Sequence, residues 1–400
     1  MDVLRRPGMP PSPDGGSFAG PATAIGVHFF TQPDLSRSDR LFRRHADGTG
    51  YYRPDHSDYY TVPMIALRKA LQSRGVMLHT SDVAASKGGC GCMIVIDLPA
   101  RRGELLAFKR RFPEVRFWIF VKMESPVVVR ALLAENLAED FDWVVTYGNA
   151  PNGCRFSRYA LPVLERHGEG RTHCEDIPFA SRKLLVMINS NRRRGWSDYR
   201  NLPLALQLRG WRAGLHAQLR ILGEEDGYAR RRNLARIAAR HIGDGFDLYG
   251  RGWSGEPVIW WNRLAPNRPN PRGAGLWQGD NIALMRRYRF AIAYENWVGN
   301  PGYVSEKLFL PMLAGAVPVY LGACDIEDHV PRGAYVDRRD FGSEREMLSF
   351  LSSCSRTDWN EFRDAANTFL RSPRSRDFHS DSLLSALCEA LREAGIELSA

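Results

Sequence analysis

"RFAIAYENWVGNPGYVSEKLFLPMLAGAVPVYLG", Arg289 to Gly322, opens and closes on apolar runs with the length of buried strands. Between them stand Tyr294, Glu295 and Asn296, then Tyr303, Ser305, Glu306 and Lys307. Two core strands need none of these hydrogen-bonding groups. Strand, loop, helix, strand is the repeating unit of a parallel α/β sheet, and the loops that follow its strands line the ligand site.

Working outward, the same alternation recurs on both sides. "KLLVMINSN" (Lys183–Asn191) reads as a strand, with helices expected near Asp198–Leu208 and Ala229–His241, then a short strand and turn in "DLYGRGW" and a helix in "NIALMRRY". Beyond the quoted stretch come "AYVDRRDF", helices near Glu344–Ser353 and Trp359–Leu370, and a last amphipathic helix, Ser382–Ala394. The first half alternates likewise. Thr23–Phe30, "VMLHT", "MIVIDLP", "VRFWIFVKMESP" and "DWVVTYG" read as strands, with helices in "TVPMIALRKALQSRG", stopped at Gly75, and in "GELLAFKRRFP", stopped at Pro113. The polar, aperiodic "RHGEGRTHCEDIPFASR" separates the halves. The expected layout is a disordered leader at 1–22, an N-terminal Rossmann-like domain at 23–170, a linker at 171–182, a second α/β domain at 183–375 and a C-terminal helix at 376–400. Two such domains leave a cleft between them.

Composition narrows the function. The formal net charge is +10, carried largely by Arg, which suits phosphate-bearing partners. The seven cysteines are scattered, and Cys90 and Cys92 have no second Cys/His cluster to answer them, so reduced thiols in a cytoplasmic protein are expected. No Asn-x-Ser/Thr sequon occurs. The opening "MDVLRRPGMPPSPDGGSFAGP" has no apolar core behind its arginines and does not read as a signal peptide. No apolar run approaches the ~20 residues of a membrane span. Contact with the inner face of a membrane would be peripheral at most.

The loop and helix start carry the chemistry. A helix start offers free N–H groups and partial positive charge to phosphate, and Lys307 adds a full charge. Glu306 suits hydroxyls, Tyr303 can stack or donate, and Asn296 both donates and accepts. Phosphate and hydroxyl recognition on one short element points to a nucleotide sugar. On spacing alone, a capped helix with a surface Glu–Lys pair accounts for the same residues.

The ordered set Tyr288-Arg289-Phe290, Tyr294-Glu295-Asn296, Tyr303-Val304-Ser305-Glu306-Lys307 and Gly315–Gly322 resembles the signature of the α1,3/α1,4-fucosyltransferases, glycosyltransferase family 10, as a bacterial-type soluble member. "KLLVMINSNRRRGWSDYRNL", "FDLYGRGW", "AYVDRRDF", "WIFVKMESP" and "DWVVTYG" resemble further segments of that family, so the likeness spans about 115–341. It implies a GT-B-like fold of two Rossmann-like domains, with GDP-fucose as donor substrate and inversion at its anomeric carbon. Carried over residue by residue, Arg200 and Lys307 would hold the diphosphate, with Arg192, Arg193 and Arg194 as rivals to Arg200. Tyr303, Glu306 and Asn296 would contact nucleotide and fucose, and Ser190, Asn191, Tyr249 and Gly250 would complete the donor site. Glu124 of the Glu-Ser-Pro turn would be the general base, Glu306 the second catalytic carboxylate, and Glu295 or Asp142 the next to test. Without the resemblance, Glu124 reads as a turn residue beside Pro126.

Three departures stand out: Ser305 in place of Thr, Gly148-Asn149 where the family usually has Arg, and a long basic Pro203–Gly245 segment. No metal is required, Asp337 and Asp340 being poorly placed as ligands, and a divalent ion would at most stimulate from solution. The partners expected are a nucleotide sugar and an acceptor glycan. The alternatives are a related transferase using another nucleotide sugar, and a basic nucleic-acid-binding protein built on "RRRNLARIAARH" and "SNRRRGW". No helix-turn-helix, RRM or zinc pattern supports the latter.

Overall fold

The computed structural model describes residues 24–43, 58–87, 90–99, 101–125, 137–149, 153–164, 177–191, 226–253 and 280–396. Its first unit contains β1 (Ala24–Phe29), α1 (Asp58–Gln72), β2 (Met77–Thr80), α2 (Ser81–Ser86), β3 (Cys92–Ile96), α3 (Arg102–Lys109), β4 (Phe117–Val121), α4 (Leu137–Asp140), β5 (Trp143–Thr146) and β6 (Phe156–Arg158). These strands form a six-stranded parallel sheet in the order β2-β1-β3-β4-β5-β6. β3 and β4 are apolar throughout because helices cover both faces of the sheet.

The second unit contains β7 (Lys183–Ile188), α5 (Gly227–His241), β8 (Phe246–Tyr249), α6 (Asn281–Met285), β9 (Tyr288–Tyr294), α7 (Glu306–Leu313), β10 (Val317–Leu321), α8 (Ile326–His329) and β11 (Val336–Asp337). Its five strands, also parallel, are ordered β11-β10-β9-β7-β8. "AYVDRRDF" forms only the two residues of β11 and then a 3-10 turn, because the Asp337 side chain accepts the Arg339 N–H and bends the chain. α9 (Glu344–Ser353) and α10 (Arg356–Arg371) follow, the latter opened by a reciprocal Ser355–Asp358 capping box. The helix expected at Asp198–Leu208 and the 1–22 leader lie outside the described residues.

The last helix, α11 (Ser380–Glu393), packs back on the first unit rather than the second. Ser157 Oγ donates to the Ala386 carbonyl (2.9 Å), and the Ala160 N–H donates to Ser382 Oγ (2.9 Å). The sequence signal for this is the apolar stripe Leu383, Leu387, Ala390, Leu391, which needs a second surface to cover it.

One buried apolar cluster runs from Ile25, Ile94 and Val145 through Tyr147 to Tyr303, Leu308 and Phe309, joining the two units beneath the cleft. Contact is closest at Gly302, which has φ +69°. A Cβ there would lie 1.9 Å from the Tyr147 carbonyl oxygen. Gly227, the first residue of α5, lies against the Glu295 carbonyl in the same way, at 1.7 Å from a built Cβ. Gly227→Ala should therefore push α5 off the loop after β9 and cost about 2 kcal/mol or more, read as a lower urea midpoint.

Candidate active site

The carboxyl ends of the two sheets meet, Tyr147 after β5 packing on Gly302 and Tyr303 after β9. On the first wall, β4 runs out into Lys122, Met123 and Glu124. The Glu124 N–H donates to Asp97 Oδ1 (2.9 Å), and its carbonyl accepts from the Tyr147 hydroxyl (2.9 Å). Its carboxyl accepts the Ser125 N–H. Burial, then the charge of Asp97, pushes that carboxyl up to about 7, while Lys307 pulls it down and Glu306 pushes it up. The last two residues belong to the other unit, so Glu124 senses the opposite wall. Lys122 lies 4.7 Å over the Tyr147 ring and 5.5 Å from the Trp297 ring. Burial lowers its ammonium to about 8.

On the second wall, Ser305 caps α7, its hydroxyl accepting the Lys307 N–H. Glu295 is 0% exposed. Its two oxygens accept the Ser305 N–H (2.7 Å) and the Ser305 hydroxyl (2.7 Å), so this carboxylate holds the helix start from beneath. Lys307 Nζ donates to Ser305 Oγ (2.9 Å) and lies 3.2 Å from Glu306 and 3.4 Å from Glu295. Burial opposes the charge, yet Glu306 and then Glu295 hold the Lys307 ammonium above its usual range. Tyr303 is buried, its ring 5.2 Å from that of Tyr147 across the joint between units.

Asn296 brings in a residue that the sequence reading missed. Its Oδ1 accepts from Arg231 Nη2 at 2.6 Å. Arg231 is 2% exposed, donates from Nε to the Gly227 carbonyl (3.2 Å) and covers the Tyr228 ring at 4.5 Å. Burial lowers its proton affinity, and it repels Lys307. Two cations driven together in a cleft wall make a strong locus for a polyanion. The signal was present in α5: Arg231 falls on the stripe of Tyr228, Leu234, Ala235 and Ala238, where a helix that served only as a solvated basic face would carry an apolar residue.

Ser190, Asn191, Tyr249 and Gly250 come together at the ends of β7 and β8. The Asn189 N–H donates to the Tyr249 carbonyl (2.9 Å), the Asn191 N–H to the Arg251 carbonyl (2.8 Å) and Asn191 Nδ2 to the Gly252 carbonyl (2.9 Å), extending the pairing past the strands. Ser190 is exposed beside them. Arg200 and its rivals Arg192, Arg193 and Arg194 lie outside the described residues. Asp142 sits at the opposite end of β5, its carboxylate accepting the Trp118 N–H (2.8 Å). Asp337 is paired with Arg339 (2.7 Å) and Asp340 with Arg332. Among the described residues no group of three or more His, Cys, Asp or Glu could hold a metal ion, and no helix is long and apolar enough to cross a membrane.

Residues 270–395 match the family model described as glycosyltransferase family 10 (fucosyltransferase), C-terminal. The alpha-(1,3)-fucosyltransferase 4 of Pan troglodytes is 37% identical over 282 residues, covering 69% of this chain and 41% of that protein. Its counterpart in Mus musculus is 37% identical over 250 residues, covering 60% and 43%. The chain thus spans less than half the length of these relatives. Among solved structures, a DNA-modifying beta-glucosyltransferase has a TM-score of 0.50 at 10% identity, covering 92% of this chain and 100% of that one, a likeness of the GT-B fold alone.

Proposed function

Because this chain belongs to glycosyltransferase family 10, we propose that it transfers fucose from GDP-fucose to a hydroxyl of an acceptor glycan, inverting the donor's anomeric centre. One observation carries this reading: Glu124, a carboxyl with proton affinity near neutrality at the end of β4, is coupled to Lys307 of the other unit, which is itself coupled to Arg231. Glu124 takes the acceptor's proton as the new C–O bond forms. On the opposite face of the anomeric carbon, the bond to the diphosphate oxygen breaks. Lys307, Arg231 and the capped start of α7 receive the charge that develops there. Arg200 remains a candidate for the same anion.

Under this proposal Glu306, 27% exposed beside Lys307, binds the donor's hydroxyls, and Ser190, Asn191, Tyr249 and Gly250 bind the nucleoside. In this reading the two cations supply the positive charge that the leaving diphosphate requires, so a divalent ion stimulates at most from solution. The reaction runs in the cytoplasm, with at most peripheral contact with the membrane's inner face. Thermal denaturation tests the donor. GDP and GDP-fucose at ~100 times their dissociation constants should each add about 2.7 kcal/mol of stability. Equal stabilisation by UDP-glucose would replace fucose transfer with transfer from another nucleotide sugar.

A further inference from the structure

We propose that Asp97, at the end of β3, is the positioning residue of the base, holding the Glu124 turn by its backbone from the neighbouring strand. Its Oδ1 accepts two consecutive N–H groups, from Met123 (3.0 Å) and Glu124 (2.9 Å). Its Oδ2 accepts the Thr31 hydroxyl (2.8 Å), and its own N–H donates to the Val121 carbonyl (2.9 Å). All three side-chain partners are donors and favour the ionised carboxylate, while burial, the larger influence, raises its proton affinity. Asp97 is 0% exposed, so this carboxylate has no solvating role.

Its backbone carries a second sign of selection for the side chain. Asp97 has φ +54°, in the left-handed region, where glycine would sit without strain. Glycine there would satisfy the turn but leave the two N–H groups of the base segment unpaired. A non-glycine residue in this region, over-determined by its surroundings, is the pattern of strain kept for a function.

The arrangement has an electrical consequence. Glu124 is faced by Asp97 from β3, by Glu306 and Lys307 from α7, and by the hydroxyls of Tyr147, Tyr159 and Tyr303, which burial keeps neutral. Lys122, on the same segment, is coupled to Asp97. Of these, Asp97 contributes most after burial to raising the proton affinity of Glu124. The two carboxyls titrate as a coupled pair.

This proposal rests on Glu124 being the base, and the experiment separates the two claims. The kcat of fucose transfer is measured against pH for wild type, Glu124→Gln, Asp97→Asn and Asp97→Ala, with GDP affinity measured alongside. Asp97→Asn keeps an acceptor for both N–H groups but loses the charge, so the acid limb of kcat should move down by about one pH unit. Asp97→Ala loses the clamp as well, and kcat should fall at least about tenfold at every pH with GDP affinity unchanged. An unshifted acid limb in Asp97→Asn, with Glu124→Gln inactive, overturns the proposal and leaves the base in place. A fully active Glu124→Gln overturns both.

Should the Asp97 variants fail to fold, Thr31→Val reports on the same clamp. It should lower kcat several-fold without changing GDP affinity, and Thr31→Ser should restore it. Wild-type kcat in Thr31→Val counts against the proposal.

Discussion

Glu124→Gln should lower kcat by about 10²–10⁴-fold and leave the dissociation constant for GDP where it was. The substitution keeps the side chain's shape and leaves both backbone contacts intact, the N–H to Asp97 and the carbonyl to Tyr147. It removes only the capacity to take a proton. In the wild type, activity should rise with pH through about 7, because burial and the charge of Asp97 raise the carboxyl to that value and only its ionised form is a base. Donor binding lies on the other wall, at α7 and α5, so titration with GDP separates chemistry from affinity. Glu306→Gln should do the reverse, weakening GDP-fucose more than GDP, since its proposed partners are sugar hydroxyls. Near-normal turnover in Glu124→Gln would remove it as the base. Of the other carboxylates considered, Asp142 is tied to Trp118 at the far end of β5, and both oxygens of Glu295 are committed to Ser305, so the role would pass to Glu306.

The parts of this molecule that could be read from sequence are those governed by short-range periodicity. The strands β3, β4 and β10 are continuous apolar runs, and β9 is one from Phe290 onward, because both faces of each sheet are covered. The polar groups just past their ends had to lie at one edge of a sheet, which set Tyr294, Glu295 and Asn296 apart as candidates, whereas Glu124 was singled out only by the family resemblance. What stayed hidden depends on contacts distant in the chain. Arg231 lies on the apolar stripe of α5, but its link to Asn296 becomes visible only when Gly227 packs against Glu295. Asp97 looks like an ordinary residue after a strand until two N–H groups from the next strand point at it. Glu295, set among the recognition residues, proves to be their support. Return of α11 to the first unit required knowing which apolar surface was still uncovered.

Arg231→Met should weaken GDP binding by about 10-fold to 100-fold, as expected for a charge-assisted contact, while leaving the stability of the unliganded protein within about 1 kcal/mol of wild type. The two cations of the second wall differ in what else depends on them. Lys307 neutralises Glu295, which is buried and has no solvent to turn to. Lys307→Met therefore strands a carboxylate and should lower the melting temperature as well as GDP affinity. Arg231 is held by carbonyl and amide oxygens, at Gly227 and Asn296; burial is the largest influence on it and opposes its charge, against the favourable charges of Glu295 and Asp226. Methionine fills much of the same volume, and relief of the cost of burying the charge offsets the lost hydrogen bonds. Calorimetric GDP titration and thermal melts on the two variants distinguish these roles. If Arg231→Met binds GDP like wild type and Arg200→Ala does not, the anion contact belongs to Arg200 instead. If Arg231→Met loses stability in step with Lys307→Met, Arg231 is a structural cation.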